Sequence, residues 1–234
     1  MTNWFAFYYI PLADSDFYRL GSETLGYDVR ADKRTEPPHL PDGLQKIPGA
    51  WTRSARDFGF HMTLTEALTY DANDLPKIEQ EIADILGSFS PDSDMSLEQQ
   101  GLKIWKEGQV WVLRYTPSRA LEILQAVMVA RLAQFGQTSM FFDEIEEHPE
   151  RYSEPYERKR LKTFLSPRGL DTWPAHFTLL NPHPRETNLN LEAQFKDLFS
   201  QFVRLEPTTF SLVLKEGDAP WHIHSDYTWP PKQE

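Results

Sequence analysis

The sequence predicts an α+β fold: a bilobal, duplicated unit with two antiparallel sheets around a central cleft and helices outside. Three observations predict it. The tetrapeptide pattern His-apolar-Thr-Leu occurs twice, as His61-Met62-Thr63-Leu64 and His176-Phe177-Thr178-Leu179. Each copy lies in the same order of elements, helix, motif strand, helix, hairpin. The flanking segments echo one another too: IEQEIADIL (78–86) answers LEAQFKDLF (191–199), and Lys-Glu-Gly stands at 106–108 and at 215–217. Self-similarity of this kind marks repeated supersecondary units. With 234 residues, the chain suits a single bilobal domain over 1–234, with pseudo-repeats near 50–117 and 118–230.

The elements follow from local signals. WFAFYYIPL (4–12) is aromatic, β-prone and stopped by Pro11, so it reads as a strand whose Phe5, Phe7 and Tyr9 face the core. DSDFYRLGSETLG (14–26) opens on capping residues and closes on glycine, as a short helix does. Residues 27–57 are rich in proline, glycine and charge, and read as a long loop. DFGFHMTLTEALTY (57–70) is the first motif strand. Residues 74–89 place Ile78, Ile82, Ile85 and Leu86 at a helical period. Residues 96–117 read as a hairpin turning at Lys106-Glu107-Gly108, and 118–136 as a helix begun by Ser118 and ended by Gly136. Residues 141–171 are charged and partly helical. AHFTLLNP (175–182) is the second motif strand, 189–203 a helix, and 208–229 a closing hairpin.

Composition narrows the function. The chain is 40% apolar and 13% aromatic, enough for a sizeable core, with a net charge of −11. Its pI is about 5.1. A long nucleic-acid surface needs clustered lysine and arginine, so the charge counts against one; a short oligonucleotide end or a small phosphate ester stays open. Without cysteine there is no disulfide, thiolate nucleophile or zinc–thiolate site. The first residues do not read as a signal peptide and no apolar run approaches a membrane span, so a soluble, cytoplasmic monomer without a membrane partner is expected.

The paired motifs carry chemistry. Alternation along a strand puts His61 and Thr63 on one face, and His176 and Thr178 likewise. Across a groove, two imidazoles form an acid/base pair, one taking a proton from the attacking hydroxyl or water and the other giving one to the leaving oxygen. Two threonine hydroxyls can donate to the non-bridging oxygens of a phosphate. Such a site requires no cofactor and no metal. A single His-x-Thr on an apolar strand is ordinarily a satisfied core residue beside a common strand former. One such tetrapeptide arises by chance in about 1% of chains of this length, and two at matching places in far fewer.

With these residues the chain resembles the two-histidine phosphoesterase superfamily, which includes the RNA ligase-like cyclic phosphodiesterases. The resemblance implies a bilobal α+β fold with both motifs in a central cleft. It also implies metal-independent opening of cyclic phosphodiesters. Within that superfamily, Phe5-Ala6-Phe7-Tyr8 with Pro11, Leu25-Gly26-Tyr27-Asp28 and Phe58-Gly59-Phe60-His61 look like the branch encoded in phosphonate-utilisation operons. That branch implies hydrolysis of a phosphoribosyl cyclic phosphate. The second half departs from it: YERKRLKTFLSP and Trp173-Pro174-Ala175-His176 stand where an Arg-rich helix, a Gly-Tyr-Pro-Tyr segment and a Phe-Arg-Phe-His strand are expected. The chemistry carries over better than the substrate.

Tyr8, Arg56 and Arg160 are the candidates for substrate contacts, against the ordinary readings of core packing for the tyrosine and solvated faces for the arginines, including the Arg158-Lys159-Arg160 run with Lys162. His222 and His224 share a strand face and could hold a metal with His183 or edge the cleft, though no carboxylate stands at diagnostic spacing. The leading expectation is a phosphodiesterase acting on a small sugar phosphate. Its alternatives are an enzyme acting on RNA 2′,3′-cyclic ends and a phosphate-binding module without turnover.

Overall fold

One apolar strand organises the sheet. In the computed structural model, which describes residues 2–36, 47, 49–105, 109–183 and 189–231, β1 (Asn3–Tyr9) is buried along most of its length. It pairs antiparallel with β10 (Thr209–Glu216) on one side. On the other side it pairs with both β4 (Met62–Thr63) and β5 (Leu68–Tyr70). The nine-stranded sheet runs β11 (His222–Thr228), β10, β1, β4, β8 (His176–Leu180), β7 (Val110–Pro117), β6 (Leu97–Trp105) and β9 (Arg204–Leu205), with β5 alongside β1. A two-stranded sheet, β2 (Tyr27–Asp28) with β3 (Lys33–Arg34), falls within the expected 27–57 loop. The α+β class is as the sequence predicts. The two expected sheets are the halves of one curled sheet, because β4 pairs with β8 through Met62 and Phe177. The hairpin after β4 in sequence, β6–β7, joins β8, and the hairpin after β8, β10–β11, joins β1 beside β4. The expected turn at 106–108 lies outside the described residues.

The helices sit where capping and periodicity placed them. Ser15 Oγ accepts from the Tyr18 amide at 3.1 Å to open α1 (Asp16–Leu25). Gly26 closes it at φ 76, the left-handed conformation that favours glycine. α2 (Arg53–Arg56) is a single turn before the first motif strand. α3 (Leu75–Gly87) buries Ile78, Ile82, Ile85 and Leu86. Ser118 caps α4 (Arg119–Leu132). The charged segment after it forms α5 (Phe141–Glu147) and α6 (Pro155–Phe164), and α7 (Leu189–Phe199) follows β8. Among the described residues, no helix is long and apolar enough to cross a membrane.

Phe177 anchors the core on the face opposite its neighbours His176 and Thr178. Its ring lies 4.9 Å from Phe17 on α1, 4.9 Å from Phe60 and 5.8 Å from Tyr115, and it is fully buried. Burying such a ring stabilises the fold by about 2–3 kcal/mol. The pair that fuses the two halves is thus also packed from below by α1.

Candidate active site

Each histidine is fixed the same way. His61 Nδ1 lies 2.9 Å from the Gly59 carbonyl, and His176 Nδ1 contacts the Pro174 carbonyl, two residues back in each case. A carbonyl only accepts, so each Nδ1 carries a hydrogen and each neutral ring presents a basic Nε2. Thr63 then donates its hydroxyl to His61 Nε2, at 3.2 Å.

Strand pairing assembles the four side chains. Met62 opposite Phe177 in an antiparallel ladder sets His61 beside Thr178 and Thr63 beside His176. All four line one cleft of about 280 Å³. Of the expected substrate contacts, Tyr8 is there: it pairs with Thr63 and stacks face to face on His61 at 3.9 Å. Burial, and then Glu66, hold its hydroxyl protonated by raising its pKa.

The two expected arginines, Arg56 and Arg160, are not among the residues that line this cleft. Arg56 faces a separate surface hollow with Arg34 and Asp57, its Nη1 3.4 Å from the Gly49 carbonyl. Arg160 is held by Asp171, by Thr172 Oγ1 at 2.8 Å and over the Tyr156 ring at 4.6 Å, contacts that engage its guanidinium away from the residues lining the cleft. Nor do His183, His222 and His224 form a ligand set among the described residues. His183 packs between Trp51 and Trp111, while His222 and His224 lie on β11, well along the sheet from β8, with His224 against Glu79 at 3.2 Å. Among the described residues, no three metal-ligating side chains converge.

Other cleft residues escaped the sequence reading: Glu66, Asn181, Arg168, Trp105 and Trp173. Glu66 was hidden by a bulge. The amides of Leu64 and Thr65 both donate to the Phe7 carbonyl at 3.0 Å, and Thr65 Oγ1 accepts from the Phe7 amide at 2.9 Å. One extra residue on the strand shifts the alternation, so Glu66, not Thr65, rejoins the face of His61 and Thr63. The expected single strand over 57–70 is for the same reason split into β4 and β5. β8 is displaced at the same place, its register jumping from Val112–Thr178 to Trp111–Leu180, and Asn181 reaches the cleft. Residues 61–66 and 176–181 share one burial pattern: partly exposed at the first, third and sixth positions, buried between. Extending the match between the copies beyond the tetrapeptide would have shown both residues five places after their histidine.

The electrostatics favour neutral imidazoles. Burial pushes His61 down to about 4, against the Gly59 carbonyl bond. His176 is also pushed down to about 4, mainly by burial, and further by His61 and the Arg114 guanidinium. Arg114 pairs with His176 across β7–β8, donates to the Ala175 carbonyl at 3.2 Å and sits over the Trp105 ring. Burial, and then Glu144, push the Glu66 carboxyl up to about 7, against Arg168 and Ser166.

The fold is the expected α+β one, a curled sheet with two His-x-Thr strands side by side in its cleft. Among solved structures, TT0787 of Thermus thermophilus shares the fold over 100% of both chains, with a TM-score of 0.51 at 13% identity. A protein solved as a phosphoesterase aligns at TM-score 0.46 and 12% identity over 98% of this chain and 99% of its own. Usb1 of Kluyveromyces marxianus with uridine monophosphate aligns at 0.44 and 10% over 94% and 97%. No family profile matches the sequence, and no curated protein does.

Proposed function

We propose that this protein opens a cyclic phosphodiester by proton transfer between His61 and His176. The observation that carries the reading is the antiparallel cluster in which each imidazole has a threonine hydroxyl at its side and an Nδ1 locked by a carbonyl. Water attacks phosphorus. One neutral Nε2 takes its proton, and the other imidazole, protonated, gives a proton to the ring oxygen as the P–O bond breaks. The product is a phosphomonoester. Once Nε2 of His61 carries a proton it no longer accepts from Thr63, and Thr63 and Thr178 then donate to the non-bridging oxygens, where charge develops. Arg114 stands beside His176 and disfavours its cationic form, which supports His176 as base and His61 as acid.

The substrate is a small sugar phosphate, acted on in the cytoplasm by a monomer that needs no metal. The phosphoribosyl cyclic phosphate of the phosphonate-operon branch is the first compound to test. An RNA-end enzyme would need a basic rim. Among the described residues, the charged side chains lining the cleft, apart from the histidines, are Glu66, Glu144 and Arg168, which counts against it. The test is turnover in EDTA of phosphoribosyl 1,2-cyclic phosphate and nucleoside 2′,3′-cyclic phosphates. His61→Ala and His176→Ala should each lower kcat/KM by about 10²–10⁴ while retaining phosphate binding within a few-fold. Near-normal rates in either variant would sink the acid/base reading.

A further inference from the structure

The cleft is a line of polar residues with a different cap at each end. Along β4 the cleft-facing row is His61, Thr63, Glu66, and along β8 it is His176, Thr178, Asn181. The strands run antiparallel, so the third members diverge. Glu66 lies beyond the Thr63–His176 side of the cluster and Asn181 beyond the His61–Thr178 side. The phosphate-binding centre is therefore pseudo-symmetric and its two flanks are not: a carboxyl occupies one end and a carboxamide the other.

The Asn181 end is braced by backbone. Its amide donates to the Trp51 carbonyl at 2.7 Å, and its own carbonyl accepts from the Ser54 amide at 2.9 Å. The Glu66 end is walled by side chains from α5 and the segment after α6: Phe141, Glu144 and Arg168. The arginine's charge is committed to that wall. Its Nη2 donates to the Arg151 carbonyl at 3.1 Å, its Nε is 3.7 Å from Glu157, and its guanidinium lies over the Tyr152 ring at 4.7 Å. Two carboxyls against one engaged guanidinium make this end a receiver of hydrogen-bond donors and a poor seat for a second phosphate.

We infer that Glu66 determines specificity by accepting hydrogen bonds from hydroxyls of the sugar beyond the reacting phosphate, so that the substrate carries no second phosphate at that end. This rests on the proposed reading only in that the histidine–threonine cluster seats the phosphate. It keeps the small-sugar reading but replaces the phosphorylated ribose of the phosphonate-operon branch with a cyclic phosphate of a neutral, hydroxyl-bearing sugar. The Tyr8 hydroxyl, Ser166, Glu144 and Arg168 are the polar groups that act on Glu66.

The test separates binding from turnover. Ribose 1-phosphate and ribose 1,5-bisphosphate, neither of which can be ring-opened, are titrated calorimetrically into the unaltered protein and into Glu66→Gln at pH 8. The monophosphate should bind about tenfold tighter to the unaltered protein, and the gap should shrink to about threefold or less in Glu66→Gln. Glu66→Asp, which keeps the charge, should keep the preference, an outcome that general damage to the cleft would not give. Equal or tighter binding of the bisphosphate overturns the inference, as does a gap unchanged in Glu66→Gln or no binding of either compound. Turnover of the cyclic compounds judges the enzymatic reading separately: an active enzyme that prefers the 5-phosphorylated ring would keep that reading and end this one.

Discussion

The two half-sites share a skeleton and differ in their supports. Both histidines bond the carbonyl two residues back, both are followed by a threonine two residues on, and both rows resume after a displaced residue. Around that skeleton everything differs. His61 lies flat on Tyr8, whereas His176 meets Trp105 edge-on at 4.7 Å and has a cation, Arg114, on the neighbouring strand. The carbonyl that orients His61 belongs to a glycine at φ 74, and the one that orients His176 belongs to a proline. Under the proposed reading, what repeats is what a phosphate needs from both sides. Under the proposed mechanism, what differs has to set one imidazole apart as base and the other as acid, because burial brings both down to about 4.

The largest expected effect of breaking the comparison at its supports is at Gly59. A Cβ there would lie 2.5 Å from Val29 Cβ and Cγ1, on a backbone conformation L-residues rarely adopt. Gly59→Ala should destabilise the fold by about 1–3 kcal/mol and, by moving the carbonyl that fixes His61, lower kcat/KM by about tenfold or more. The matching change, Pro174→Ala, keeps the carbonyl and should cost under about 1 kcal/mol with activity within a few-fold. Urea unfolding and steady-state kinetics on the two variants check this. Equal effects would mean that the supports are as symmetric as the motif.

That glycine also shows what the sequence could and could not reveal. The motif strands, the helix caps at Ser15 and Ser118 and the hairpin strands were legible because they depend on neighbours within a few residues. The cleft histidines and threonines were legible because the pattern occurs twice. Glu66 and Asn181 were not, because a bulge defeats strict alternation, and the bulge is set by Phe7 on another strand. Where Arg56 and Arg160 point was not legible, because a guanidinium's direction depends on tertiary partners, here Gly49 for one and Asp171 with Thr172 for the other. Joining of the halves into one sheet rests on a single pair, Met62 with Phe177, that no local signal announces.

A smaller effect tests the shared centre. Burial holds both imidazoles near 4, so both are neutral at pH 7. A phosphate anion between them would raise at least one, so under the proposed mechanism the acid would acquire its proton together with the ligand. Sulfate, which does not itself titrate near neutrality, should bind with uptake of about one proton at pH 7, read by calorimetry in two buffers of different ionisation enthalpy. Uptake that survives in His176→Ala but is lost in His61→Ala would assign the acid to His61. Binding without uptake in the unaltered protein would mean that the anion leaves both rings neutral, and the two-imidazole mechanism would lose its acid.

The smallest expected effect is also the one that decides between the halves. Arg114 acts on His176 through space, and its positive charge lowers the histidine's pKa by penalising the imidazolium. Arg114→Gln removes that charge, makes protonation easier and raises the pKa. If His176 is the base, kcat/KM requires it neutral in the free enzyme, and its acid limb reports that pKa. The limb should then move to higher pH in Arg114→Gln, with the rate at pH 8 less affected than the rate at pH 5. A variant damaged only in packing against Trp105 would lose rate evenly across the profile. A limb that stays in place would remove His176 from the role of base and give it to His61, where the face-on tyrosine, rather than a neighbouring cation, would have to account for the difference.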